Sequence, residues 1–402
     1  MRMRVPGRFE MKRKRRVKMT KPKFHFTFWR VVAALILIAG AVATFQRFVY
    51  GLGFATNLSD DFPWGIWIGF DVISGVGLAA GGFTITAIVY IFNLKKYHCI
   101  VKPTVLTAFM GYLLVGTALL WDLGKYYDIW HALVYGNHRS AMFELAVCVA
   151  SYLGVLALEF SSIAFGKFKW LRKPVKILKK GYILLVILGV LISTLHQSSL
   201  GTLYVIVPQK LHPLWYSRLL PIYFFFTSIG AGLSMTVVES YLSWRGMGHE
   251  APLPILANLV RGMVVIQLTF FVAMFEGLMA GHKLGYLVDG SFISMMWWLE
   301  MALWVFIPTI IAFRKKWMMT RFGVFAAGFS GVLGFLMNRL NVSMTAFQWS
   351  AKVKYVPSWQ EVAVSASFVV VSFIIFAYAV KYFDLFEEDS HESLEDSAVK
   401  AV

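Results

Sequence analysis

The chain has 402 residues, of which 58% are hydrophobic and 15% are charged, and its formal net charge is +18. Soluble globular proteins of this length are much less apolar, so the composition excludes that class and indicates an integral membrane protein.

Hydrophobic segments long enough to cross a hydrocarbon core of about 30 Å as a helix recur along the whole chain. Backbone polar groups in lipid must be satisfied within the segment, so we expect these spans to be helices. The sequence therefore predicts an all-α, polytopic membrane helix bundle. The ten predicted spans cover residues 28–50, 64–92, 103–121, 140–165, 180–206, 216–243, 253–278, 292–313, 319–338 and 361–383.

The distribution of lysine and arginine predicts the topology. Of the 39 basic residues, most fall in the N-terminal arm and in the connections that share its side of the membrane. The positive-inside rule then places both termini in the cytoplasm, and the chain in the cytoplasmic (inner) membrane. We expect three regions: a basic cytoplasmic arm (1–27), a ten-helix membrane domain (28–383) and an acidic, disordered cytoplasmic tail (384–402). The arm is expected to contact anionic lipid headgroups rather than nucleic acid.

The predicted external loops are longer and rich in aromatic and turn residues, which is typical of a surface that binds a partner. They cover residues 51–63, 122–139 and 339–360. Tryptophans near this boundary, Trp215 among them, are expected to form an interfacial aromatic belt. Cys99 and Cys148 lie at different depths and are not expected to form a disulfide. Since the chain has no CxxC or CxxCH motif, we expect no iron–sulfur cluster and no c-type haem in it.

Ionisable residues inside the spans are the strongest functional signal, because each costs about 2.5–3.5 kcal/mol at the centre of a membrane helix. His196 is the one histidine deep inside an apolar segment, and Tyr112 lies in the middle of span 3. The residues predicted in the outer half of the membrane are Asp71, Glu144, His196, Glu276 and Glu300. Those predicted toward the inner side are Glu159, Glu239 and Arg261.

Three kinds of chemistry could use this set. A bis-histidine b-type haem is disfavoured, because the other eight histidines lie in termini or loops. A quinone site suits it better, since the protein must hydrogen-bond the quinone oxygens and deliver protons. Buried acids also form the ion and substrate sites of secondary transporters, which is the main alternative. A passive anchor, in which each acid makes a structural hydrogen bond or pairs with an arginine such as Arg47 or Arg339, also stays open.

Several strings resemble the NrfD/polysulfide-reductase family of membrane subunits, and within it the branch found in [NiFe] hydrogenase-2. They are Phe62-Pro63-Trp64-Gly65-Ile66-Trp67, Phe143-Glu144-Leu145-Ala146-Val147-Cys148 and His196-Gln197-Ser198-Ser199-Leu200-Gly201. The resemblance runs from about Phe45 to Lys381. It implies a quinone-reactive subunit without a haem, iron–sulfur cluster or other redox cofactor of its own. It also implies an external ferredoxin-like iron–sulfur partner and a catalytic subunit, such as a hydrogenase.

Residue roles follow from the resemblance together with the predicted depths. Positions linked to quinone or proton handling in the family match Tyr112, Glu144, His196, Glu239 and Asp71. We expect Glu144, His196, Tyr112 and Asp71 to act on menaquinone, and the first three of these to bind it. The expected proton path uses Glu159, Glu239, Arg261, Glu276 and Glu300, and no metal site is expected.

Overall fold

Ten long apolar helices make up the protein in a computed structural model that describes residues 27–165, 172–247 and 253–383. The acidic tail and all of the basic arm except Thr27 lie outside these ranges. The described residues contain no β-strand. The helices are α1 (Phe28–Tyr50), α2 (Trp67–Ile91), α3 (Lys95–Asp122), α4 (Ala141–Ser162), α5 (Tyr182–Val205), α6 (Leu220–Gly246), α7 (Leu253–Ala280), α8 (Phe292–Phe313), α9 (Arg321–Gln348) and α10 (Trp359–Tyr382). The predicted all-α bundle of ten membrane helices is confirmed.

The main difference from the prediction is at the end of α9. The sequence predicts that this span ends at residue 338, but the helix continues through a π-helical turn, Asn341–Thr345, to Gln348. The predicted loop 339–360 is therefore wrong in its first half, and the connection covers only 349–358. Arg339, which the prediction places in that loop, is 1% exposed inside the bundle. The polar residues around Arg339 lower the local hydropathy, so the sequence prediction ends the span before the helix itself ends.

The helices form two groups of four. Helices α2–α5 pack against one another as the first bundle, and α6–α9 pack as the second bundle. Helices α1 and α10 form a peripheral pair, and α10 contacts α2 and α3. The bundles meet where α2 contacts α6 and α9, and where α5 packs along α6. Gly232 of α6 lies against the backbone of Gly81 in α2, where a side chain would collide, so helix packing accounts for these small residues.

The connections define two ends of the molecule. The end that carries residues 51–66, 123–140, 206–219, 281–291 and 349–358 is called the long-loop end, and the opposite end is called the short-loop end. The assignment of the short-loop end to the cytoplasm stays a prediction.

Three of the four π-helical segments among the described residues lie near membrane-embedded polar residues, and the fourth covers Ala87–Ile91. One of these segments, Trp67–Ser74, contains Asp71, and another, Ala302–Phe306, begins two residues after Glu300. A third, Asn341–Thr345, contains a side chain that bonds to Glu300. Single π-helical turns are rare and often accompany functional sites, since they shift the side-chain register of a helix.

Candidate functional site

The centre of the first bundle holds a polar cluster around His196, which is completely buried in α5. The imidazole ring lies 5.7 Å, centroid to centroid, from the ring of Tyr112 in α3. Tyr112 in turn meets Tyr152 of α4 edge to face at 4.6 Å. Ser193 precedes His196 by three residues and Gln197 by four, so its side chain lies beside both of theirs on α5. We call these five residues the His196 cluster.

Most polar atoms of the His196 cluster form no well-aligned hydrogen bond among the described residues, although all are buried and the hydroxyls of Tyr112 and Tyr152 lie near Ser193. These atoms are both imidazole nitrogens, the hydroxyls of Tyr112, Tyr152 and Ser193, and the amide oxygen of Gln197. Only the amide nitrogen of Gln197 is bonded, to the carbonyl oxygen of Val76 at 3.2 Å. A buried polar group left unpaired costs about 1–3 kcal/mol, so such groups rarely gather in one place. The arrangement fits a site that hydrogen-bonds water or the oxygen atoms of a ligand.

Glu144 connects this interior to the surface of the bundle. Its carboxylate accepts a hydrogen bond of 2.6 Å from the hydroxyl of Ser199, which is buried in α5 one turn beyond His196. Glu144 itself is exposed near the long-loop end of α4. The pair therefore forms a polar contact between α4 and α5, near the His196 cluster.

Two carboxylates lie on the other side of the cluster, toward the short-loop end. Glu159 of α4 is buried and faces α5 at Gly189, one turn before Ser193. Glu239 of α6 is buried beside Thr107 of α3, and its Oε2 atom has no hydrogen-bond partner. Thr107 is five residues before Tyr112, a distance of about 7.5 Å along the helix. Both acids thus approach the cluster from the half of the bundle opposite Glu144.

The other predicted site residues lie elsewhere. Asp71 is buried at the contact of α2 with α10, where it accepts a 2.6 Å hydrogen bond from Ser365. Arg261 is exposed and donates to Asn258, and Glu276 is exposed near the long-loop end of α7. No hydrogen bond or ring contact between the described residues joins any of these three to the His196 cluster.

Glu300 belongs to a separate network in the second bundle. It is fully buried, and its two oxygen atoms accept hydrogen bonds from Trp215 (2.9 Å), Asn338 (2.7 Å) and Asn341 (2.8 Å). Arg339 donates to the side-chain oxygen of Asn338 at 2.6 Å, so Asn338 lies between the acid and the arginine. We call these five residues the Glu300 network.

Both sites contain residues that the sequence interpretation does not include. Tyr152, Ser193 and Ser199 could have been found by helical spacing, since the two serines lie three residues before and after His196 and share its helix face. In the Glu300 network, Trp215 is assigned from sequence to an interfacial belt, yet it is 5% exposed and bonded to Glu300. Asn338 and Asn341 carry no charge, so a search for ionisable residues passes over them.

Comparisons with known proteins agree with this architecture. The family model described as "Polysulphide reductase, NrfD" matches residues 55–351. A protein of Nitratidesulfovibrio vulgaris is 42% identical over 86% of the chain and 90% of its own length. The "Probable Ni/Fe-hydrogenase 2 b-type cytochrome subunit" of Escherichia coli is 33% identical over 90% of the chain and 91% of its own length. The "Menaquinone reductase, integral membrane subunit" of N. vulgaris is 23% identical over 91% and 93%.

The name of the E. coli relative raises the question of a b-type haem. Such a haem is held by axial ligands such as a pair of histidines facing each other across a bundle. Among the described residues, the ring neighbour of His196 is a tyrosine, and the histidines other than His196 lie at helix ends or in connections. This donor set does not fit a bis-histidine haem, and we assign no step to one.

Proposed function

We propose, from the premise that this chain belongs to the NrfD polysulphide reductase family, that it is the quinone-reactive membrane subunit of a respiratory redox complex. In this proposal an external iron–sulfur subunit exchanges electrons with menaquinone at the His196 cluster, and the chain supplies or accepts the accompanying protons. The names of two relatives support it, one a hydrogenase subunit and the other a menaquinone reductase subunit.

The observation that carries the proposal is the set of unpartnered polar atoms in the His196 cluster. A quinone presents two carbonyl oxygens, which accept hydrogen bonds, and its reduction takes up two protons. Imidazole and phenol groups can donate to such oxygens and transfer protons, and histidine is the side chain best suited to do both near neutral pH. The bond between Glu144 and Ser199 supports a proposed opening between α4 and α5, through which a quinone headgroup would enter from the membrane.

Protons can reach the cluster along the first bundle. From the short-loop end the polar groups follow the order Glu159, then Tyr152 with Tyr112 and Ser193, then His196. Glu144 completes the series, and since it lies fifteen residues from Glu159 on α4, the series covers about 22 Å. The gaps between these groups need water molecules, which bind where several unsatisfied polar atoms converge. Glu239 and Thr107 offer a second route from α6.

The partner iron–sulfur subunit is proposed to bind at the long-loop end. The connections 51–66, 123–140 and 349–358 are on this end, as is the opening at Glu144. The loop at 123–140 exposes aromatic side chains, among them Tyr127, Trp130 and Tyr135. Exposed aromatic residues are enriched in protein interfaces. Binding here would bring the electrons to the same half of the membrane as the quinone.

The test measures quinone reduction by the intact complex, which is purified through a tag on this chain. The electron donor is the substrate of the catalytic subunit that co-purifies. Glu144→Gln and His196→Gln remove the titrating groups with little change in shape. We expect each to lower turnover by about 100-fold, in the range that positioned acid–base groups contribute, with the subunits still co-purifying. Asp289→Asn, in an exposed connection of the second bundle, is the matched control and should keep normal turnover.

Two outcomes contradict the proposal. Normal quinone reduction in both variants would show that the His196 cluster takes no part in the reaction. Purification of the chain without an iron–sulfur subunit, combined with solute flux in liposomes that depends on Glu144, would favour a transporter instead.

A further inference from the structure

A cavity of about 210 Å³ opens at the long-loop end of the second bundle, between α6, α7 and α9. Its walls include the apolar residues Leu220, Phe270, Met274 and Leu278, together with three cations described below. No aspartate or glutamate is among the lining residues. The cavity is therefore apolar on its sides and positively charged.

Arg339 forms the innermost charged part of this wall. Its guanidinium donates to the carbonyl oxygen of Phe224 at 3.1 Å and to the hydroxyl of Thr227 at 2.8 Å, besides its bond to Asn338. Its Nε atom is buried and has no hydrogen-bond partner. Its countercharge, Glu300, is separated from it by Asn338. A buried arginine without a directly bonded anion is costly, so an anion in the cavity would relieve this cost.

Two further cations, Arg218 and Lys283, line the cavity closer to the surface. Lys283 donates to the carbonyl oxygen of Tyr216 at 2.9 Å, and burial lowers its pKa because the ammonium loses hydration. Two carboxylates are nearby, Glu276 on the Tyr223 side and Asp289 on the His212 side, but neither lines the cavity. The charge that an incoming group meets is thus positive at the mouth and at the base.

We propose that this cavity binds the anionic phosphate headgroup of a membrane phospholipid, with Arg339 at the base and Arg218 and Lys283 at the mouth. Arginine forms strong, often paired hydrogen bonds with phosphate oxygens. Basic pockets between membrane helices are known sites for anionic lipid headgroups. The neighbouring surfaces of α6 and α7 expose Ile222, Val272 and Met279, along which acyl chains can lie.

This site is distinct from the proposed quinone site, since the cavity is in the second bundle and shares no residue with the His196 cluster. The lipid would occupy the contact of α6 with α7 and α9 and so hold the second bundle together. Its presence does not depend on the quinone chemistry, and each proposal can fail without the other.

The experiment uses a glycine that forms part of the cavity wall. A Cβ atom added at Gly277 of α7 would meet only the hydroxyl of Tyr223, at an ordinary 3.7 Å, so Gly277→Leu can be introduced into the cavity wall without a clash at Cβ. Gly262 lies on the same helix about 22 Å away, and a side chain there would meet only Leu233, also at 3.7 Å. Gly262→Leu is therefore a matched control. Arg218→Gln combined with Lys283→Gln tests the charges separately from the shape.

The full chain, purified in detergent with its accompanying subunits, is mixed with phosphatidylglycerol or phosphatidylcholine of identical acyl chains, or with inorganic phosphate. Bound lipid is counted by native mass spectrometry. We expect saturable binding of phosphatidylglycerol in the unmodified protein and in Gly262→Leu. Affinity should fall about tenfold or more, which corresponds to ~1.4 kcal/mol, in Gly277→Leu and in the double variant.

Equal phosphatidylglycerol binding in all four proteins would overturn the proposal. Equal binding of phosphatidylcholine would also overturn it, because the cations would then not select the headgroup. Displacement of the lipid by millimolar inorganic phosphate would assign the site to free phosphate and overturn the lipid assignment.

Discussion

The Glu300 network and the His196 cluster hold similar polar residues in opposite states. In the second bundle both oxygen atoms of Glu300 are bonded, and the network extends through Asn338 to Arg339. In the first bundle both nitrogens of His196 and the hydroxyls of Tyr112 and Tyr152 are buried without partners. A satisfied polar network stabilises a fold, whereas unsatisfied groups oppose it and persist where they serve a reaction. From this contrast we propose a structural role for the Glu300 carboxylate and a chemical role for the His196 cluster.

The largest expected effect tests the structural half of this contrast. Glu300→Ala leaves the buried donors of Trp215 and Asn338 without an acceptor, and leaves Asn341 with only the carbonyl oxygen of Met296. We expect the free energy of unfolding to fall by about 3–5 kcal/mol, as when one partner of a buried charged pair is removed. Denaturant titration of the purified protein in detergent measures this change.

The matched control is Glu276→Ala, because Glu276 is exposed in the same bundle. We expect its effect to stay within about 0.5 kcal/mol. If Glu300→Ala changed the free energy of unfolding as little as Glu276→Ala, the hydrogen bonds of the Glu300 network would not stabilise the second bundle. The contrast between the two sites would then not hold.

The second prediction concerns His196→Leu, which replaces an unbonded imidazole with an apolar side chain of similar size. Since no hydrogen bond is lost, we expect the free energy of unfolding to change by less than ~1.5 kcal/mol. Quinone reduction should nevertheless fall by about 100-fold, equivalent to ~2.7 kcal/mol in the barrier. A loss of stability as large as that of Glu300→Ala, with activity lost in proportion, would show that His196 is structural.

The sequence predicts the architecture well, because ten long hydrophobic segments leave a helix bundle as the only arrangement that satisfies the backbone. It also predicts the depth of His196, Glu144 and Glu159, since depth follows from counting residues along a helix. It could not predict which way each residue faces. Glu144 and Glu300 are both expected in the outer half, but one is exposed and the other fully buried.

The end of α9 shows the other limit. Hydropathy predicts that this helix stops before Arg339, since a charged and polar run is unfavourable in lipid. In the structure the run is covered by α6 and α8, where Thr227 and Glu300 provide its partners. Contacts that come from distant parts of the chain are what extend the helix, and a single sequence does not reveal them.

The third prediction separates two buried tyrosines whose hydroxyl groups both lack a partner, Tyr112 and Tyr204. Tyr112 belongs to the His196 cluster, whereas Tyr204 packs among the rings of Trp64, Phe224 and Phe347. We expect Tyr112→Phe to lower quinone reduction by about tenfold, through loss of a donor to the quinone or to water. Tyr204→Phe should leave turnover unchanged. Equal effects would mean that a missing partner alone does not identify a site residue.

The smallest expected effect concerns the opening between α4 and α5. Ser199→Ala removes the hydroxyl that bonds to Glu144, while Ser198→Ala changes the adjacent residue, which has no such bond. The carboxylate itself remains in Ser199→Ala, so the proton can still pass, but its position is no longer fixed. Because a typical intramolecular hydrogen bond contributes about 0.5–1.5 kcal/mol, we expect turnover to fall by about three- to tenfold in Ser199→Ala alone. If Glu144→Gln were inactive and Ser199→Ala fully active, Glu144 would act without being positioned by Ser199. The polar connection from the surface of the first bundle to His196 would then have to follow another set of residues.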